Sequence, residues 1–69
     1  MLKTNLRYLM ADRKIDTITD LMEKADLSRN AINSIYKEEN IKNTKLNTLL
    51  KLCNALNCTL SELIEYKPE

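Results

Sequence analysis

Apolar residues recur along this chain at helical rather than alternating spacing. Leu2, Leu6, Leu9 and Met10 form one stripe, which predicts a first helix over residues 2–14. Ile15 follows as an apolar staple before the next start signal at Thr17, which has Asp20 three residues on and then Leu21, Met22 and Ala25. That is a capping-box-like opening, with Asp standing where Glu or Gln is usual. Only Asp26 and Leu27 separate this second helix from a third, which Ser28 caps and Ala31, Ile32 and Ile35 anchor. Asp is among the few residues other than Gly that tolerate the left-handed conformation such a turn requires. A polar connection from Lys37 to Asn43, interrupted by Ile41, leads to a cap at Thr44. The fourth helix then carries a buried stripe of Leu46, Leu49, Leu50, Leu52, Cys53 and Leu56, and Asn57 suits its left-handed C-terminal stop. A short fifth helix starts at Thr59, where Glu62 completes a capping box and Leu60, Leu63 and Ile64 form the apolar face. The expectation is one all-α domain over residues 1–69 with five helices.

The third helix has two unlike faces. At 3.6 residues per turn, Ala31, Ile32 and Ile35 cluster in one direction, with Arg29, Asn30, Asn33, Ser34 and Lys37 centred roughly 170° away. The polar face contains no acid. Its side chains are those that meet base edges and phosphates: Arg or Lys with guanine, Asn with adenine, Ser with either. Composition alone fits an ordinary amphipathic surface helix equally well. The spacing of the two helices weighs strongly toward the nucleic-acid reading.

Apolar residues at Leu21, Ala25, Leu27, Ile32 and Ile35 around a turn at Asp26 resemble the helix-turn-helix of Cro/C1-type (XRE family) regulators. The resemblance continues through SIYKEE and LNTLLKLCNALNCTLSELIEYKP, so it covers nearly the whole chain and is nearest to short stand-alone members. It implies the five-helix, lambda-repressor-like DNA-binding fold, with the motif at about residues 17–37. Three positions depart from the usual pattern: Asp26 stands where Gly is common, Met22 where Ala is common, and Ile18 where Gln is common. Met22 is bulkier than the Ala that lets the two helices approach, although its thioether adapts. Asp26 adds strain and negative charge near the expected DNA side, and Ile18 supplies no polar contact. Many relatives also pair an Arg of the first helix with a Glu ending the third; Ala11 and Tyr36 stand there, so both charges are absent together.

Composition narrows the function further. The chain has no Gly, Phe, Trp or His, and one Pro, at Pro68. Without His the usual general acid–base group is missing, no Gly-rich loop exists to hold a phosphate, and the adjacent Glu38 and Glu39 fall in the polar connection as solvated acids. No enzyme, metal site or cofactor is expected. Cys53 and Cys58 are too few for a disulfide scaffold and read as small buried hydrophobes. No apolar run approaches the roughly 20 residues that cross a bilayer, and no leader sequence is visible.

The net charge of +1 conceals an uneven distribution. Residues 1–15 carry Lys3, Arg7, Arg13 and Lys14 against Asp12, a net +3, and residues 16–26 carry four acids against Lys24, a net −3. Residues 27–45 hold Arg29, Lys37, Lys42 and Lys45 against Glu38 and Glu39, a net +2, and the remainder is −1. Phosphate affinity follows such local clusters rather than the total.

The resemblance assigns these parts. It implies a cytoplasmic, bacterial or phage-encoded regulator, a repressor for choice, that binds double-stranded DNA without a small-molecule effector. Ser28, Arg29, Asn30, Asn33 and Ser34 are then the candidates for base contact, with the N-terminal end of the third helix in the major groove. Thr17, Lys37, Lys42, Asn43, Thr44 and Lys45 are the candidates for backbone phosphate, helped by helix N-termini that attract anions. Two copies would bind a two-fold symmetric operator, with Leu60, Leu63, Ile64 and Tyr66 as the candidate dimer contact. The rival reading is a protein-interaction module such as an antitoxin or anti-regulator, which an exposed apolar face or a disordered tail would favour.

Overall fold

The computed structural model describes residues 1–68. It runs β1 (Leu2–Thr4), α1 (Leu6–Asp12), α2 (Ile18–Ala25), α3 (Arg29–Tyr36), a 3-10 turn (Ile41–Asn43), α4 (Leu46–Leu56), α5 (Leu60–Leu63) and β2 (Ile64–Tyr66). Five α-helices are present, as the apolar spacing predicts, together with a small antiparallel sheet that it does not.

The sheet corrects both ends of the chain. The first helix begins at Leu6, and Leu2–Thr4 instead pairs with Ile64–Tyr66, with Leu2 opposite Tyr66 and Thr4 opposite Ile64. Thr4 makes the change of structure. Its hydroxyl accepts from the Leu6 backbone N–H at 3.1 Å, inside the first turn of α1, and donates to the Leu63 carbonyl at 3.5 Å. Asn5 strengthens the clasp: its backbone N–H donates to the Leu63 carbonyl at 2.8 Å, and its side-chain amide donates to the Glu62 carbonyl and the Glu65 carboxylate. The two ends of the chain are thereby tied beside α5.

Leu6, Leu9, Met10, Ile15, Leu21, Ala25, Ile32, Ile35, Leu52, Cys53, Leu56 and Leu63 form one core. The fourth-helix stripe is narrower than expected. Leu52, Cys53 and Leu56 are buried, but Leu46 is 58% and Leu50 45% exposed. Leu50 lies about 100° around the helix from Leu49, which carries it off the core-facing side.

The starts of the helices after α1 follow the sequence signals with one exception. Thr17 accepts from the Asp20 N–H at 3.1 Å and Ser28 from the Ala31 N–H at 3.2 Å. Thr59 and Glu62 complete the capping box, and the bond from the Thr59 backbone N–H holds the Glu62 carboxyl below the usual carboxylate range. The exception is α4. Lys45, not Thr44, precedes it, with no side-chain bond to the first turn, and the Thr44 hydroxyl donates back to the Asn40 carbonyl. Asp26 and Asn57 both take the left-handed conformation, at φ 55° and φ 51°. Lys51 Nζ donates to the Asp26 carbonyl at 3.4 Å, which supports the turn that Asp26 makes in place of Gly.

At Asn57 the N–H of Cys58 donates to the Cys53 carbonyl and that of Asn57 to the Asn54 carbonyl, the paired bonds of a Schellman stop. The apolar contact that usually accompanies this motif is made by Cys53 and Cys58, both free thiols. Burial, with the Cys53 thiol beside it, pushes the Cys58 thiol from 9.0 up to about 11. The neutral thiol is the favoured form, so its contribution to stability is complete below pH 9.0 and lost as pH rises through about 11. Alkylation of Cys58 with iodoacetamide at pH 8, followed by mass spectrometry, should therefore run about tenfold slower in the folded than in the unfolded chain. Equal rates would place the thiol in open water.

Candidate nucleic-acid interface

Burial of Ile32 and Ile35 fixes the rotation of α3 and so decides what it presents outward. Arg29, Asn30 and Lys37 are exposed, and Asn33 and Ser34 are half-buried on the same side. Among the described residues, the side-chain amides of Asn30 and Asn33 make no hydrogen bond within the protein, so their donors and acceptors are open to a ligand. Ser28 and Ser34 are partly committed. Ser28 uses an oxygen lone pair for its cap, and the Ser34 hydroxyl donates to the Asn30 carbonyl at 3.1 Å. Each retains one kind of capacity: Ser28 can still donate and Ser34 can still accept.

Arg29 is committed in a way the sequence does not reveal. Its Nη2 donates at 3.0 Å to the hydroxyl of Thr19, in the first turn of α2. Thr19 was not among the expected site residues. A Thr one residue past a cap, beside an apolar Ile18, gives no local sign of a partner ten residues away.

The phosphate candidates divide into groups. Asn43, Thr44 and Lys45 line a shallow depression of about 220 Å³ together with Ala31, Ser34, Asn40 and Thr48. The start of α4 and the middle of α3 thus meet in one concavity, which joins those candidates to Ser34. Lys42 lies elsewhere, against Leu2, Ile41 and Glu38, and Lys37 lies beside Arg7, Tyr36 and Glu38. Glu38 borders both depressions but, among the described residues, forms no ion pair with either lysine. Thr17 is exposed at the head of α2.

Two of the four cations of the first segment, Arg7 and Arg13, have partners within the fold, whereas Lys3 and Lys14 are exposed. Arg13 Nε donates to the Leu56 carbonyl at 2.9 Å and its Nη2 to the Asn57 carbonyl at 3.3 Å. The guanidinium thus sits at the C-terminal end of α4, where a cation is favoured. Arg13 also pairs with Asp12. Arg7 stacks over the Tyr36 ring, 4.5 Å from its centroid. This cation–π contact ties α1 to the last residue of α3, the place where the Arg–Glu pair of the resemblance is missing. At an exposed site such a contact contributes about 0.5–1 kcal/mol.

Among the described residues no three His, Cys, Asp or Glu side chains converge as a metal site, and no helix is long and apolar enough to cross a membrane. What the α2–α3 face can do chemically is donate and accept hydrogen bonds beside an array of cations.

Comparison with known proteins agrees with this geometry. Residues 5–69 match the family model described as the Cro/C1-type HTH DNA-binding domain. The chain is also similar to YozG of Bacillus subtilis (strain 168), an uncharacterized HTH-type transcriptional regulator. The two are 31% identical over 65 residues, which cover 94% of this chain and 75% of the relative. On the turn at Asp26, the two-faced α3 and the match through residue 69, the chain belongs to the Cro/C1-type HTH DNA-binding domain family.

Proposed function

We propose that the protein is a transcriptional repressor that binds a two-fold symmetric operator as a pair, with α3 in the major groove. The polar face of α3 carries this reading: Asn30 and Asn33 with unoccupied amides, Arg29 at the leading end, and no acid among them. Those groups match the acceptor and donor patterns of adenine and guanine in the major groove. Asn43, Thr44 and Lys45, in one concavity with Ser34, are suited to a phosphate at the groove edge. Thr17, Lys37 and Lys42 extend the backbone footprint, and Ser28 completes the base-facing set. Occupation of DNA blocks other proteins sterically, so repression needs no further activity from the domain.

Selection from random duplexes tests the reading. It should enrich inverted repeats whose half-sites lie one helical turn apart, about 34 Å. Recovery of sequences without any common half-site would overturn it and favour a protein-interaction role. On the selected operator, Arg29→Ala or Asn33→Ala should cost about 1–3 kcal/mol at particular base pairs, and Lys45→Ala should weaken selected and random duplexes alike. Equal losses on both duplexes for all three variants would remove the base-reading assignment.

The need for discrimination supports a pair. One recognition helix covers a few base pairs, too little discrimination against a genome of competing sites. Of the candidate contact residues, Leu63 must be struck out because it is 0% exposed, its side chain wholly within the monomer's core. Ile64 is half-buried and opens β2 instead of extending the α5 face, and Tyr66 closes the same strand. Leu60, at 39%, and Tyr66, at 68%, carry the exposed apolar surface of this end. Sedimentation equilibrium should show dimers that Leu60→Glu with Tyr66→Glu dissociates. A wild type that is monomeric at high concentration and binds its operator one-to-one would exclude the pair.

A further inference from the structure

Arg29 begins α3 and Thr19 lies in the first turn of α2, yet the Arg29 guanidinium donates to the Thr19 hydroxyl at 3.0 Å across the motif. The choice of partner is informative. Asp20 follows Thr19 directly in the chain, but among the described residues the only acceptor held by Arg29 is the neutral hydroxyl. A carboxylate would fix the guanidinium and cancel its charge. A hydroxyl restricts its orientation, leaves the full positive charge, and uses one of five N–H donors. Both side chains are exposed, so the bond adds little to folding stability. Its consequence is for binding. A free Arg side chain surrenders rotamer freedom when it docks, whereas one already held at the head of the helix surrenders less.

We infer that Thr19 is a positioning residue for DNA recognition, holding the Arg29 guanidinium so that its remaining donors meet one base pair, with guanine O6 and N7 the matching acceptors. This rests on the proposed operator-reading role of α3. Thr19 itself contacts Arg29 rather than the base. Its effect is therefore confined to the position that Arg29 reads.

The experiment uses the full chain and the selected operator, with all four base pairs placed in turn at the position sensitive to Arg29→Ala. Binding is followed by fluorescence anisotropy. Thr19→Val keeps the branched shape and removes the hydroxyl. It should reduce discrimination at that position about five- to tenfold, a part of what a full bidentate contact supplies. Affinity for a random duplex should stay within about twofold, and Thr19→Ser should restore discrimination to within the same margin. In an Arg29→Ala background, Thr19→Val should have no further effect. Thr19→Ala, which removes the hydroxyl in favour of the strongest helix former, gives the same readings should the valine variant melt early. Full discrimination in both hydroxyl-free variants would overturn the inference. So would an equal loss on every duplex, or an effect that persists without Arg29. A wild type with no base preference at all would overturn the operator-reading role and this inference with it. A preference that survives in the hydroxyl-free variants overturns the inference alone.

Discussion

Raising monovalent salt from 50 to 200 mM should weaken DNA binding by roughly 50- to 150-fold per protomer. Each phosphate neutralised contributes a slope of about −0.9 in log K against log salt, so three or four cations give about −2.7 to −3.6. Arg29, Lys37, Lys42 and Lys45 are the cations in question, and all four side chains are exposed. The same measurement tests the assignment of Arg7 and Arg13. With Arg13 on the α4 C-terminus and Arg7 over Tyr36, the proposed footprint leaves both out. If they did, the slope would steepen to about −5 or beyond. Lys45→Ala should shallow the slope by about 0.9, and Arg13→Ala should leave it unchanged while lowering thermal stability. Affinity that does not vary across the titration would remove the electrostatic footprint altogether.

The motif was legible because its signals are local. Thr17 and Ser28 each head a segment whose apolar residues recur at helical spacing, and Asp26 at the turn is one of the residues that enters the left-handed region. The two faces of α3 follow from the same periodicity: once Ile32 and Ile35 are inside, Arg29, Asn30 and Lys37 must be outside. The capping box at Thr59 is equally local. The sheet was not legible. Three residues at each end are too few for alternation to show, and the pairing of Leu2 with Tyr66 spans almost the whole chain. The breadth of the α4 stripe could not be judged either, because which leucines are covered depends on where α2 and α5 lie against it.

The functional side chains divide along the same line. Residue types on the α3 face could be read directly, and their partners could not. Lysine and arginine counts placed a +3 cluster at the start of the chain, but Arg13 reaches across to the Leu56 carbonyl and Arg7 to Tyr36. Charge counted along a sequence measures supply. Only the tertiary contacts show how much remains free for a ligand, and at Arg29 they show a guanidinium that is held without being neutralised.

Leu63→Ala should unfold a large part of the population, and Leu60→Ala should not, although the two residues lie on one four-residue helix. Leu63 is 0% exposed and Leu60 is 39% exposed. Truncating a fully buried Leu to Ala costs about 2–5 kcal/mol through lost transfer energy and the cavity left behind. Domains carry roughly 0.05–0.15 kcal/mol per residue, so a chain of this length has about 3–10 kcal/mol in all. The upper half of the predicted loss therefore equals the whole stability of a marginal domain. Position adds to the effect: the Leu63 carbonyl accepts both the Asn5 backbone N–H and the Thr4 hydroxyl, so a cavity beneath Leu63 loosens the clasp between the chain ends. Leu60→Ala removes a side chain that is partly in water, with a cost below about 1 kcal/mol, and leaves the Thr59 cap in place. Urea denaturation followed by circular dichroism separates the two. A midpoint for Leu63→Ala within error of wild type would mean that α5 does not close the core, and would return Leu63 to the surface available to a second copy.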